Sequence, residues 1–332
     1  MQDRDMKAEF QMDQESGQVS QVESPGQASD QILTQADVAK TVHNAAQASR
    51  LQSSSDQKKK NRESYAGRYE VKYVIPRRFV PMIREFIKPF CELDANCVGD
   101  PPGYVITTLQ LDSPSLSLHY AKLWDFVNRF KLRVRVYGES IGSSPVFMEV
   151  KAKYRTTIVK YRSQIPFDKW GKHLFGNEIV RGITFKDNNE AENFYQFVRL
   201  VKEIGARPVM LIRYQRESYF GKNDHYSRLT LDTRLQYQQT YSWDSWGRGE
   251  QWFSLDKPLD QTRRHDKELD FSGVVLELKS LHDVPLWIIH LVQALNLDRQ
   301  GHCKYSNAMW AESVFCTTPW PPEYEIDLLQ YL

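Results

Sequence analysis

The chain has 332 residues, with 44 Lys and Arg against 42 Asp and Glu, so it has no overall field with which to coat a nucleic acid, and any polyanion site must be local. No stretch approaches the roughly 18 apolar residues that cross a bilayer, and the N-terminus lacks the basic-then-apolar layout of a secretory signal. The four cysteines, Cys91, Cys97, Cys303 and Cys316, make neither a paired CxxC motif nor, with nearby histidines, a zinc pattern; the expectation is a soluble, cytoplasmic protein with reduced thiols, no membrane segment and no nucleic-acid partner.

Residues 1–64 are rich in Gln, Ser, Asp, Glu and Ala and end near the run Lys58, Lys59, Lys60. Such a segment cannot bury enough apolar surface to offset its ordering entropy, which predicts a disordered tail with a solvated basic linker; the weakly apolar stretch 32–42 is the one place in it for a transient helix. A strand is expected over 68–75, ended by Pro76. Apolar residues at Phe79, Met82, Ile83, Phe86, Ile87 and Phe90 then recur at helical spacing. The turn at Asp100 to Gly103 leads into a strand over 104–112, and 115–129 reads as a short helix or an irregular lead-in.

Three strands follow, over 131–137, 147–153 and 157–162, and each alternates charge with apolar bulk. Successive side chains of a strand point to opposite faces. Lys131, Arg133 and Arg135 therefore oppose Leu132, Val134 and Val136; Glu149, Lys151 and Lys153 oppose Met148 and Val150; Lys160 and Arg162 oppose Val159 and Tyr161. The region 166–188 reads as turns, 190–204 as a helix stopped by Gly205, and 207–216 as a strand. Arg228, Thr230 and Asp232 oppose Leu229 and Leu231; Glu277 and Lys279 oppose Leu276 and Leu278; Glu70 and Lys72 repeat the pattern in the first strand. Between them, 237–267 reads as an aromatic hairpin or lid, with Trp243, Trp246 and Trp252 as rim packing ahead of base stacking. A helix over 285–297 closes the pattern, and 317–332 is an acidic and apolar tail.

One half-buried sheet turning its charged face to water would explain any single run. Repetition favours a barrel with apolar faces outward under helices and a cationic lumen that takes a polyanion.

In order and composition, the strings around Glu70 and Lys72, 131–138, 149–151, 159–162, 214–216, 228–232, 276–279 and Lys304-Tyr305-Ser306 resemble the polyphosphate polymerase domain of the vacuolar transporter chaperone (VTC) family, a branch of the triphosphate tunnel metalloenzymes. The resemblance covers about 65–312. It implies an α+β fold, a closed eight-stranded antiparallel β-barrel with helices packed outside, and places the tunnel domain at 65–316. It further implies transfer of the ATP γ-phosphate onto a growing inorganic polyphosphate chain, with Mn2+ or Mg2+ as cofactor. By match to the family's motifs, Lys72, Arg133, Arg135, Lys151 and Lys160 are the catalytic phosphate contacts. Arg216, Arg228, Lys304, Ser306 and Asn307 bind substrate, and Glu277 holds the metal, with Glu149 and Glu70 as further candidates.

Departures from the family pattern bear on activity. Arg68 stands where hydrolytic and cyclase relatives carry the first glutamate of a Glu-x-Glu-x-Lys strand, which disfavours a two-metal triphosphatase. Asn307 replaces a second lysine, and Thr108 and Gln110 replace Ser and Tyr ahead of Asp112. Glu149 reads first as a partner of a tunnel lysine, and Asp232 as an orienting group for Arg228. Lys153, Arg162, Arg234 and Lys279 read as outer-rim cations, and His282 and His302 as surface or hydrogen-bonded histidines. The expectation is a catalytic module lacking the regulatory SPX domain and membrane segment, able to work with a membrane-protein partner. A tunnel hydrolase of triphosphate or nucleoside triphosphate, and a non-catalytic polyphosphate-binding subunit, are the alternatives.

Overall fold

The structure is a computed structural model that describes residues 69–315, apart from 156, 177–181, 225, 248–250, 256–272 and 282. The tail calls over 1–64 and 317–332, the lysine run, His282 and most of the second half of the aromatic hairpin therefore lie outside the described residues. Ten strands follow in chain order: β1 (Tyr69–Ile75), β2 (Cys91–Leu93), β3 (Tyr104–Asp112), β4 (Asn128–Tyr137), β5 (Val146–Tyr154), β6 (Thr157–Ile165), β7 (Arg207–Gly221), β8 (Arg228–Gln239), β9 (Phe253–Ser254) and β10 (Val274–Ser280). Five α-helices accompany them: α1 (Phe79–Ile87), α2 (Ser117–Leu123), α3 (Asn188–Glu203), α4 (Leu286–Ala294) and α5 (Lys304–Phe315). None of the helices among the described residues is long and apolar enough to cross a membrane.

All pairings are antiparallel, in the order β1-β10-β8-β7-β3-β4-β5-β6, with β2 attached to β7 and β9 to β8. The expected alternation holds strand by strand. Leu132, Val134 and Val136 of β4 and Met148, Val150 and Ala152 of β5 pack under Phe194, Phe197, Leu200 and Val201 of α3. Tyr73, Ile75, Leu229, Leu231, Leu276 and Leu278 meet Val80, Ile83 and Ile87 of α1 and Trp287, Ile288 and Leu291 of α4. The charged residues fall on the other, concave face.

Two expectations are corrected. The barrel is open: among the described residues β6 pairs only with β5, β1 only with β10, and closure would require those two edges to exchange backbone hydrogen bonds. Lys72 of β1 instead accepts the Gln300 N–H at 3.0 Å, so the segment leading to α5 takes up part of that edge. Nor do all helices lie outside. Tyr305, Ala308 and Met309 of α5 pack with Ile106, Met210, Ile212 and Tyr214, which share the strand face of lumenal Thr108 and Arg216. The bulge at Arg234 (φ 52°) brings Leu235 and Tyr237 of β8 onto the same face. Helix α5 thus fills one end of the concave side. It was not foreseen because its apolar residues are spread around the helix, with Trp310 exposed and Tyr305, Ala308, Met309 and Ala311 buried, leaving no periodic stripe to read.

Asp112, fully buried at the end of β3, ties α5 and α2 to the sheet. Its Oδ1 accepts the N–H groups of Ser113 and Leu118 at 2.8 and 2.9 Å, and its Oδ2 accepts the His119 N–H at 2.9 Å and the Tyr305 hydroxyl at 2.8 Å. The carboxylate thereby satisfies first-turn amides of α2 that have no partner within the helix. The aromatic stretch, expected as rim packing, packs instead into the core cluster that includes α3: Trp170 stands 5.9 Å from Trp243 and 6.2 Å from Trp246, ring centre to ring centre, and Trp246 is buried. Asp112→Ala strands buried donors on both helices and is expected to lower unfolding free energy by about 2–4 kcal/mol, read as a shift in urea midpoint. Tyr305→Phe, which removes one donor, is expected to cost about 1 kcal/mol.

Candidate functional site: a cationic half-barrel

The concave face encloses a cavity of about 2120 Å³, well beyond the roughly 300–1,000 Å³ of a pocket for a small compact ligand. Lysines and arginines outnumber carboxylates on its wall by nearly three to one. Lys72, Arg133, Arg135, Lys151, Lys160, Arg216, Arg228 and Lys304 all line it, as do Glu70 and Glu277. So do Lys131, Lys153, Arg162 and Lys279; three of these the sequence reading assigned to the rim, although their strand parity already placed them on the charged face.

Two fully buried carboxylates behind the wall hold its cations. Glu149 of β5 faces Arg133 and Arg162 in register on the strands to either side. Its Oε2 lies 2.8 Å from Arg133 Nε and 3.3 Å from Arg135, and its Oε1 lies 2.9 Å from Lys160 Nζ and 3.4 Å from Arg162 Nε. Burial alone would raise this carboxyl's pKa; Arg133, Arg135 and Lys160 outweigh it and hold the group well below the usual carboxylate range. Four cations thus surround Glu149 within 3.4 Å, the ion-paired setting expected of it.

Asp232 of β8 is the second anchor. Its two oxygens take Arg216 Nε and a terminal nitrogen at 2.6 and 2.7 Å, in the forked geometry that fixes a guanidinium plane, and Lys304 Nζ at 2.6 Å. Burial opposes ionisation and these two cations overcome it, bringing the carboxyl down to about 2. The sequence reading gave Asp232 to Arg228, its neighbour on one strand face. Register decides otherwise, because Arg216 of β7 stands directly across from Asp232. Arg228 lies over the Phe220 ring at 4.6 Å. Tyr214 lies beneath Lys304 and Arg216, at 4.6 and 5.4 Å from its ring centre.

Between these anchors the wall carries a row that ordinary sheets avoid. Lys131, Lys151 and Lys160 are direct cross-strand neighbours on β4, β5 and β6, and like charges placed so are destabilising. Each has found a different partner. Lys160 takes Glu149; Lys151 reaches Glu70; Lys131 Nζ stands 2.8 Å from Cys303 Sγ. The Cys303 thiol, raised by burial but lowered further by Lys131 and Ser306, comes down to about 6. Sequence gave no sign of this contact, which joins the end of the loop before α5 to the middle of β4.

Ser306 and Asn307 do not line the cavity. Ser306 Oγ donates to Cys303 Sγ at 3.3 Å, and Asn307 Nδ2 pairs with His302 Nδ1 at 3.2 Å, the hydrogen-bonded role expected of that histidine. Glu277, also buried, pairs with Lys279 Nζ at 2.6 Å and faces Lys72 across β1. Among the described residues no group of three His, Cys, Asp or Glu side chains could together hold a metal ion. The donor set fits a hard divalent cation carried by one or two carboxylates plus the substrate's own phosphates; Glu277 and Glu70 are the lumenal carboxylates in that position.

No curated protein matches the chain in sequence. Among solved structures, the PH1819 protein from Pyrococcus horikoshii OT3 is 11% identical over 74% of this chain and 96% of its own, with a TM-score of 0.35. The putative adenylyl cyclase HpAC1 from Hippeastrum, described as having a dominant triphosphatase activity, is 13% identical over 72% of this chain and 94% of its own, with a TM-score of 0.39. The Mimivirus capping enzyme triphosphatase is 13% identical over 74% and 96%, with a TM-score of 0.27. Likenesses this remote carry no argument about activity. The VTC domain, by contrast, matches residues 67–312, the span that holds the sheet, both carboxylate anchors and the lysine row. The chain belongs to the VTC-domain family.

Proposed function

We propose that the chain is a polyphosphate polymerase, which transfers the γ-phosphate of ATP to the end of an inorganic polyphosphate chain held in the cationic cavity. The lysine row is the observation that carries this reading. Three lysines that are direct cross-strand neighbours, flanked by Arg133, Arg135 and Arg162, are an arrangement that a ligand with closely spaced negative charges relieves and a neutral or singly charged one does not. Phosphoryl transfer needs mainly alignment and stabilisation of spread negative charge. Arg133 and Arg216, each oriented by a buried carboxylate, supply fixed donors. Arg135 also lines the cavity, held 3.3 Å from Glu149 through a terminal guanidinium nitrogen. The attacking group is a terminal phosphate oxygen, already ionised at neutral pH, so no side chain is required as nucleophile or general base. A divalent ion at Glu277, Mn2+ or Mg2+, would supply further neutralisation of the triphosphate.

The hydrolase alternative differs in needing an activated water. Incubation with ATP and Mn2+, with a gel for polymer and a parallel assay for free phosphate, separates the two. A ladder of polyphosphate is expected; free phosphate alone would assign the hydrolase, and tight polyphosphate binding without turnover the binding subunit. Arg133→Ala and Arg135→Ala are each expected to cut polymer synthesis by about 10²–10³-fold, the usual loss for one donor to a developing oxyanion, while melting as cooperative folded proteins. Glu277→Gln is expected to abolish metal-supported synthesis and to spare metal-free tripolyphosphate binding.

The site is also pH-sensitive in a defined direction. Burial brings the Lys160 ammonium down to about 8, with Glu149 opposing and Arg133 and Arg135 adding to the shift. Lys160 is charged below that value and neutral above it, so metal-free tripolyphosphate affinity is expected to fall as pH rises from 7 to 9. In Lys160→Arg, whose side chain stays charged throughout, titration calorimetry over the same interval should show a shallower fall.

A further inference from the structure

Five strands separate β1 from β5 in the sheet, yet the curl of the sheet brings them into contact across the cavity. Lys151 Nζ of β5 lies 3.2 and 3.1 Å from the two carboxylate oxygens of Glu70 on β1, and Lys72 Nζ lies 3.1 Å from Glu70 Oε1. One carboxylate therefore bridges cations from opposite sides of the half-barrel. Its setting differs from that of Glu149 and Asp232. Those two are 0% exposed and are held by arginines directly across from them in register. Glu70 keeps 23% of its side chain exposed, and its lysines keep 28% and 30%.

We propose that Glu70 is an internal stand-in for a substrate phosphate: in the free protein it clasps β1 to β5 through Lys151, and an entering polyphosphate chain displaces it and takes Lys151 and Lys72 in its place. Two features support an exchangeable role. Lys151 stands between Lys131 and Lys160 and needs some anion beside it. Lys72 faces Glu277 across β1, so it has a second carboxylate when Glu70 leaves. A phosphate carrying more charge than a carboxylate, and able to touch several cations of the row at once, wins that competition. The clasp rests on the polyanion-binding part of the function proposed above and does not require polymer synthesis.

Titration calorimetry of tripolyphosphate in the presence of EDTA tests the clasp directly, on the full chain. Glu70→Gln is expected to bind about three- to fivefold more tightly than wild type, the size of one partly exposed ion pair no longer competing. Glu70→Asp, too short to span to Lys151, shifts the same way and serves if the first variant folds poorly. In a Lys151→Met background Glu70→Gln gives no further gain, and Glu192→Gln, the same charge removed elsewhere on the cavity wall, sets the baseline for general electrostatics. A folded Glu70→Gln that binds no more tightly than Glu192→Gln overturns the clasp. So does a variant whose only change is loss of Mn2+-supported affinity, which would make Glu70 a metal ligand. A wild type that makes no polymer while the Glu70 series behaves as expected would sink the polymerase reading alone. A wild type that does not bind tripolyphosphate overturns both.

Discussion

The fold depends on placing buried anions behind a wall of cations. A sheet whose concave face is lined with lysine and arginine would repel itself open if its charges had only one another for company. Glu149 and Asp232 prevent this from within, each fully buried and each bound to cations of other elements. Desolvating such a carboxylate is costly, and the attraction offsets that cost only where geometry is tight and the oxygens are fully used. The forked contact of Arg216 with Asp232 meets that condition, and at Glu149 four cations within 3.4 Å supply the attraction. These groups trade some stability for a surface whose positive charge is fixed in place before any ligand arrives.

The division of labour between arginine and lysine follows from the same constraint. Arg133, Arg135 and Arg216 sit where a buried carboxylate sets their planes or their positions, and a guanidinium so held presents donors at defined angles. Lys72, Lys151 and Lys160 are more exposed and reach their carboxylates as point charges on long stems. On the proposed reading the arginines fix the phosphates that react, and the lysines follow a chain that has to move after each addition. A wall of arginine throughout would hold a polymer too well to let it advance.

Much of this was legible in the residues and some was not, for identifiable reasons. Period-two alternation in β4, β5, β6, β8 and β10 gives each strand's charged face directly, because side-chain parity depends on nothing outside the strand. The same logic puts Lys153, Arg162 and Lys279 on the cavity side of their strands. Pairing across strands is another matter. That Asp232 serves Arg216 and not Arg228 depends on the β7–β8 register, which local sequence does not state. Opening of the barrel depends on whether two edges far apart in sequence exchange hydrogen bonds. The contact of Lys131 with Cys303 depends on where a loop from the C-terminal part of the domain lands.

Helix α5 shows how such a long-range placement changes the site. Its first residue, Lys304, contributes an ammonium to the cavity and pairs with Asp232, while Tyr305, next in sequence, reaches the other way to Asp112 at the end of β3. Two consecutive residues thus connect the helix to two buried carboxylates on different strands. Any shift of α5 along the concave face would have to break a charged contact and a buried hydrogen bond together. The helix that narrows the concave side is therefore held in register by the same kind of buried anion that organises its walls, and the position of Lys304 is as fixed as that of the strand-borne arginines.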